Sequence, residues 1–430
     1  MRGALASRLR KNPRVDVHAD ENGLPAGTSL DALCTLGRIL ANRPPVSELD
    51  WESIASLARR HGVSPLLCWR LQGVKSRSRF EVPAELQVGL QGDLYTAAAH
   101  GIVAERQLVE VLRALHVAEV PSVVVKGAAV AATYPDPALR RFGDLDLWLR
   151  QEDLSQAEQA LFGLGYGYAK PKAWWLRQFQ HLPPMEKKSG GVRVELHWRL
   201  DSEGELGRLP LPDLWARAVP WSIGGQPALR LDPVDTVLHL CRHAVIQHRA
   251  RLGLRPLCDL AQVTTEWAAS DWEALVQRSR GYALDRPVYL MLSLMEQVLG
   301  QSPPAKAMTA LKPPDEASLP EDSLRLFIEL DGEPAFAVPM AFVEARGKGT
   351  TTARFRSVLW HLFLPRDGMG AVYNIPVDSP RIWLAYLWRP LDLVLRYGRS
   401  TWRLLGRQQV SQAAWTRELW LEEWLKTGET

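Results

Sequence analysis

Residues 123–149 read VVVKGAAVAATYPDPALRRFGDLDLWL, and the two ends of this stretch carry different strand signals. Val123, Val124 and Val125 form a short β-branched run of the kind that makes a buried strand. At the far end the pattern alternates: Leu145, Leu147 and Leu149 take one face, Asp144 and Asp146 the other. A second alternating run, VRVELHW at 192–198, sets Val192, Val194 and Leu196 against Arg193, Glu195 and His197. Between them DLSQAEQALFGLGYGY (153–168) has helical spacing and is expected to end at Gly163 or Gly165. Residues 119–200 are therefore expected to form a small α/β core.

Two aspartates at i and i+2 of a strand have Cα atoms about 6.6–7 Å apart, so their carboxylates can converge on one hard cation. An acidic face on a buried sheet is costly unless something cationic sits there. Glu195 offers a third carboxylate from another strand, and three acids from two strands suit two-metal phosphoryl transfer, in which a hydroxyl is activated and a leaving pyrophosphate neutralised. Lys126-Gly127 stands where the valine strand meets a helix opening at Ala128. Glycine there permits close backbone approach, free N–H groups face an anion, and Lys126 adds a point charge. Acids gathered this way repel one another, so Asp146→Asn is expected to harm turnover more than folding.

The stretches VVVKGAAVAATYPDPALRRFGDLDLWL, LFGLGYGY (161–168) and VELHWRL (194–200), with HLCRHAVIQHRARLGLRPLCDLA (239–261), resemble the uncharacterised nucleotidyltransferase family of the DNA polymerase β-like superfamily. The likeness spans roughly residues 47–265. It implies an α+β fold, a small mixed-sheet nucleotidyltransferase core flanked by N-terminal and C-terminal helical lobes. It also implies a metal-dependent enzyme that moves a nucleoside monophosphate from an NTP co-substrate to an unidentified acceptor: a small molecule, peptide or protein, in a bacterial biosynthetic pathway. Asp144, Asp146 and Glu195 then hold Mg²⁺ or Mn²⁺ and carry catalysis, and Gly127 is the phosphate-loop glycine. The chain departs from the family at Ala128, where a serine usually touches phosphate; Lys126, or Arg140 and Arg141, are candidates to replace that contact. The departure keeps a rival in view, an inactive binding module such as an antitoxin-like partner.

Several side chains are open to two readings. Lys126 meets phosphate or is a surface lysine at a strand end. Arg140 and Arg141 reach a triphosphate or pair with Asp144 or Asp136. His197, on the face of Glu195, binds the acceptor, orients Glu195, acts as a base or is a structural hydrogen-bonding histidine. His239, His243 and His248 share a helix, but without an HExxH glutamate or a cysteine pair they read as packing residues rather than zinc ligands. Asp259 is expected to anchor an arginine such as Arg251 or Arg255.

A chain of 430 residues exceeds one ordinary core, and 46% hydrophobic with 23% charged residues is a soluble globular balance. Residues 1–28 are expected to be a flexible tail rather than a secretory signal, 29–118 an N-terminal helical lobe, 201–300 a second one, 301–325 a Pro-rich linker and 326–430 a C-terminal region. A net charge of +4 without a dense Lys/Arg run is no strong nucleic-acid signal. Cys34, Cys68, Cys241 and Cys258 lack CxxC spacing and read as buried thiols in a reducing, cytoplasmic setting. Residues 381–407, RIWLAYLWRPLDLVLRYGRSTWRLLGR, are too interrupted by charge to span a membrane. Their basic, aromatic composition suits a membrane surface, a partner protein or the cover of the helical lobe.

Overall fold

The computed structural model describes residues 30–313, 363–405 and 420–425, apart from 47–48, 74–80, 170–171, 177–180, 202–206, 250–252, 374, 377 and 422. The expected tail and residues 314–325 of the expected linker lie outside the described residues. Seven strands make one mixed sheet: β1 Val123–Val125, β2 Asp144–Trp148, β3 Tyr166–Tyr168, β4 Met185–Lys187, β5 Arg193–His197, β6 Val219–Ile223 and β7 Gln226–Arg230. Their order is β3, β4, β5, β2, β1, β7, β6. β2 runs parallel to β5 and antiparallel to β1, while β1 runs parallel to β7. With helices before and after the sheet, the chain is an α+β protein.

Two hairpins were not legible beforehand. Tyr166–Tyr168 is too short to show alternation and pairs antiparallel with β4. β6 and β7 fall in the stretch expected to be helical; they turn through Gly224-Gly225, whose φ values of 53° and 75° suit a two-residue hairpin. Ala305–Leu311, inside the expected linker, forms a helix with Ala307 and Leu311 buried.

The sheet alternation separates two cores. Leu145, Leu147, Leu149, Val194 and Leu196 face the second half of the long helix Ala84–Val117 and the helix Leu154–Gly163. Val123, Val125 and Trp148 face the larger core of helices Leu30–Leu40, Trp51–Arg60, Ser64–Gly73 and those following β7. The acidic side chains of β2 therefore look toward the helical lobe. Helix Pro233–Arg242 in that lobe is started by Asp232, which caps Val234 N at 3.0 Å, with Pro233 in the first turn. Arg242, fully buried, ties this helix to the chain after β5 by donating to the carbonyls of Gly207 (2.9 Å) and Leu200 (3.2 Å).

The helix Ile382–Leu405 buries Ile382, Ala385, Arg389 and Asp392, and exposes Trp383, Leu384, Leu387, Trp388, Leu391, Val394 and Leu395 on its other side. No helix among the described residues is long and apolar enough to cross a membrane.

Leu147 is 0% exposed and sits in the smaller core, away from the acidic face. Leu147→Ala should lower unfolding free energy by roughly 2–5 kcal/mol, the usual range for emptying a buried leucine site. Urea unfolding of the purified variant measures this, and a loss below 1 kcal/mol would contradict the assignment of that face as core.

Candidate active site

The register of β2 on β5 places Asp146 beside Glu195, and because the pair is parallel both side chains leave the same face. Asp144 joins them one pleat away. One carboxylate oxygen from each of Asp144, Asp146 and Glu195 lies within 4.8 Å of the other two. The three acids are thus brought together, on the face turned to the helical lobe.

Asp146 is the deepest of them, 2% exposed. Lys126 Nζ stands 3.0 Å from its Oδ1, and His197 Nε2 donates to the same oxygen at 2.9 Å. Burial alone would raise this carboxyl, but Lys126 and His197 hold it far below the usual carboxylate range. Asp144 behaves oppositely: burial and the neighbouring Asp146 charge raise it, against the opposing pull of Lys126. Glu195 also resists burial, since the His197 hydrogen bond lowers it. His197 itself is raised above its ordinary value: burial opposes its charge, and its bonds to Asp146 and Glu195 prevail. Burial works against Lys126 too, yet the three carboxylates raise it.

Lys126 reaches this position through an unusual backbone. Its φ of 52° and ψ of −136° belong to a region that side-chain-bearing residues avoid, at a cost of order 1–3 kcal/mol. Gly127 follows at the start of the five-residue helix Gly127–Ala131, and a Cβ there would come 3.3 Å from the Asp144 carbonyl. Glycine thus lets the β1 turn lie directly against the start of β2.

Arg140 is buried, and its guanidinium grips Asp259 at both ends, Nη2 to Oδ2 at 2.9 Å and Nε to Oδ1 at 3.2 Å. Its Nη1 also reaches the Gly127 carbonyl at 3.4 Å, and Tyr134 donates to Asp259 at 2.8 Å. Among the described residues the ion-pair partner of Asp259 is therefore Arg140 rather than Arg255, and Arg140 forms no ion pair with Asp144 or Asp136; Arg251 lies outside the described residues. Arg141 is exposed, and its carbonyl accepts from Arg255 Nη1 at 3.3 Å.

The three lobe histidines lie close to this centre. His248 Nε2 is 3.2 Å from His243 Nε2, and His239 is buried with neither ring nitrogen hydrogen-bonded among the described residues. His239 and Lys126 line one cavity of about 80 Å³, together with Thr133 and Arg230. His181, absent from the sequence reading, sits across from His197 through a bridge between their backbones. It lies in an irregular stretch with no alternation around it, so no periodic signal pointed to it.

The donor set suits a divalent cation. Three oxygen ligands of hard character converge, and the raised Asp144 shows negative charge that Lys126 and His197 do not fully offset.

Three convergent carboxylates on one face of a mixed sheet could hold a metal ion. The chain belongs to the uncharacterised nucleotidyltransferase family, whose profile matches residues 47–300, and it is a nucleotidyltransferase by that membership. Among solved structures, the solution structure of the antibiotic-resistance factor ANT(2'')-Ia is similar at 15% identity and a TM-score of 0.32, over 43% of this chain and 97% of that one. A likeness at that level supports no argument about this chain. No curated protein matches it.

Burial lowers His61 to about 4 and His239 to about 3, so both are neutral in the folded protein at pH 7. An unfolded histidine titrates near 6.5, so from about pH 6.5 downward the unfolded chain binds more protons than the folded one. Stability should therefore fall as pH drops from 6.5 toward 4, by up to about 1.4 kcal/mol per pH unit for each histidine. Urea midpoints at pH 7 and pH 5 report this, and His239→Asn should remove part of the difference; identical drops in both proteins would refute the assignment.

Proposed function

We propose that this protein transfers a nucleoside monophosphate from an NTP to a nucleophilic acceptor, using Asp144, Asp146 and Glu195 to hold Mg²⁺ or Mn²⁺. The observation that carries the reading is the convergence of these three carboxylates from in-register strands. Bound there, the metal would offset triphosphate charge and make an acceptor hydroxyl easier to deprotonate. Lys126, already turned into the acidic cluster, meets a phosphate oxygen when nucleotide enters, in place of the serine hydroxyl that Ala128 lacks. Gly127 keeps the turn close enough for its backbone to line the phosphate path. His197 holds Asp146 and orients it beside Glu195. Arg140, saturated by Asp259, acts by fixing the loop between β1 and β2 rather than by touching phosphate. Catalysis of this kind is mostly positioning and charge neutralisation. Retention of all three acids in contact distance favours an enzyme over an inactive, antitoxin-like module. The acceptor class is a small molecule, peptide or protein, and a cytoplasmic setting fits four cysteines without a disulfide.

The exposed stripe of helix Ile382–Leu405 favours one more contact, with an anionic membrane surface. Two tryptophans and five aliphatic residues face outward while Arg389 and Asp392 turn inward, and the sequence adds Arg381, Arg396, Arg399 and Arg403. Apolar side chains with flanking arginines suit an anionic interface. The purified protein should co-sediment with phosphatidylserine-containing vesicles, and Leu387→Asp with Leu391→Asp should weaken this several-fold; absence of wild-type binding would end that reading.

The enzymatic reading separates two aspartates. Asp144→Asn should abolish Mg²⁺-dependent nucleotidyl transfer while leaving thermal stability equal or higher, because it relieves a like-charge contact. Asp146→Asn should abolish transfer and also cost stability, since it leaves buried Lys126 without its main partner. With the wild type, ATP or GTP plus millimolar Mg²⁺ should raise the melting temperature by mass action. No shift with any NTP, or full activity in folded Asp144→Asn, would overturn the proposal.

A further inference from the structure

Beside the three-carboxylate cluster lies a second group of ligand-bearing side chains, His181, Glu195 and His197, whose donor atoms also fall within 4.8 Å of one another. We propose that these residues form a distinct subsite for a divalent ion of the zinc, cobalt or manganese type, joined to the oxygen site by Glu195. The inference builds on the proposed function and shares Glu195 with it, while the two imidazoles belong to this subsite alone.

The spacing of the donor atoms suits a metal subsite. Glu195 Oε2 is 3.5 Å from His197 Nε2 and 3.8 Å from His181 Nδ1. Strong N–H···O bonds run about 2.7–3.2 Å, so the His197–Glu195 contact is a weak hydrogen bond and the His181–Glu195 spacing is longer still. They are close to the edges of a tetrahedral shell: metal–ligand bonds of about 2.0–2.1 Å put neighbouring ligand atoms roughly 3.3–3.4 Å apart. The backbone sets this up. His181 and His197 face each other across an antiparallel bridge, so their rings leave the same side, with centroids 4.7 Å apart.

The surroundings fit as well. His181 Nδ1 donates to the Leu182 carbonyl at 2.9 Å, a bond that ligation through Nδ1 would replace, and Trp175 stands edge-on to the ring at 5.3 Å. The three side chains are 12–19% exposed, neither sealed from solvent nor loose on the surface. A metal bound at His197 Nε2 would replace the proton that now joins His197 to Asp146 and release it to solvent. The imidazole pair gives this subsite a different preference from its neighbour. Oxygen-only ligands suit Mg²⁺, whereas two imidazoles and a carboxylate suit Zn²⁺, Co²⁺ or Mn²⁺.

The test uses full-length, untagged, metal-stripped protein titrated with Co²⁺, followed by visible absorption, and with Zn²⁺ by calorimetry. Wild type should bind Co²⁺ with absorption bands that report imidazole ligation. His181→Ala should weaken Co²⁺ and Zn²⁺ at least tenfold while keeping the Mg²⁺-dependent thermal shift with ATP or GTP. Asp144→Asn should do the reverse. His181→Gln serves as a second variant, and each is compared only with its wild-type circular dichroism spectrum matched. Absence of Co²⁺ binding to the wild type, or affinity unchanged in both folded His181 variants, would overturn the subsite. Those results leave the Mg²⁺–nucleotide shift untouched, so failure of the subsite and failure of the nucleotidyl-transfer reading are distinguishable.

Discussion

A carboxylate almost wholly removed from water cannot remain charged unless cations stand against it, and Asp146 meets that demand with Lys126 on one side and His197 on the other. Much of the molecule around the site follows from keeping these three groups in place. The pairing of β2 with β5 brings Glu195 and His197 to the same face. The strained backbone of Lys126 aims its ammonium into the cluster, and Gly127 allows the turn to sit against β2. Strain of this kind persists only where the surroundings over-determine it. The ion pair and the packed β1 and β2 strands supply that constraint.

The helical lobe is part of the same construction. Tyr134 and Arg140, from the connection between β1 and β2, both end on Asp259 in the helix Arg255–Val263. That buried triad pins the connection between β1 and β2 to a helix more than a hundred residues later. Arg140 would be a poor phosphate ligand in this arrangement, because releasing it leaves Asp259 buried and uncompensated. Its value lies in holding Gly127, whose carbonyl it also approaches. The sheet core and the lobe therefore act together on the candidate site even though they bury separate apolar clusters.

The acids differ in what they do for the fold. Asp146 is compensated by protein groups, while Asp144 is pushed upward by burial and by its neighbour Asp146, against the pull of Lys126. Uniform repulsion among the three, the natural reading of an acidic alternation, misses this. An alternating pattern reports which face a carboxylate takes, but not that Lys126, at the end of the neighbouring strand β1, sets its ammonium directly on Asp146.

Alternation in DLDLWL and VRVELHW, together with the valine run before Lys126, was enough to determine the strand faces and the sharing of one face by Asp144 and Asp146. Those features depend on the two-residue repeat of a strand and on local burial, which a sequence displays directly. The order of strands was not legible, because β1 lying between β2 and β7 depends on long-range pairing that leaves no local trace. Short strands such as Tyr166–Tyr168 show too few residues for a period, and the β6–β7 hairpin was hidden in a stretch otherwise followed by helices. The partner of Asp259, the approach of His181 to His197 and the burial of His239 were decided only by tertiary structure. Each is a contact between segments far apart in the chain or without periodic pattern, and only folding sets their distances.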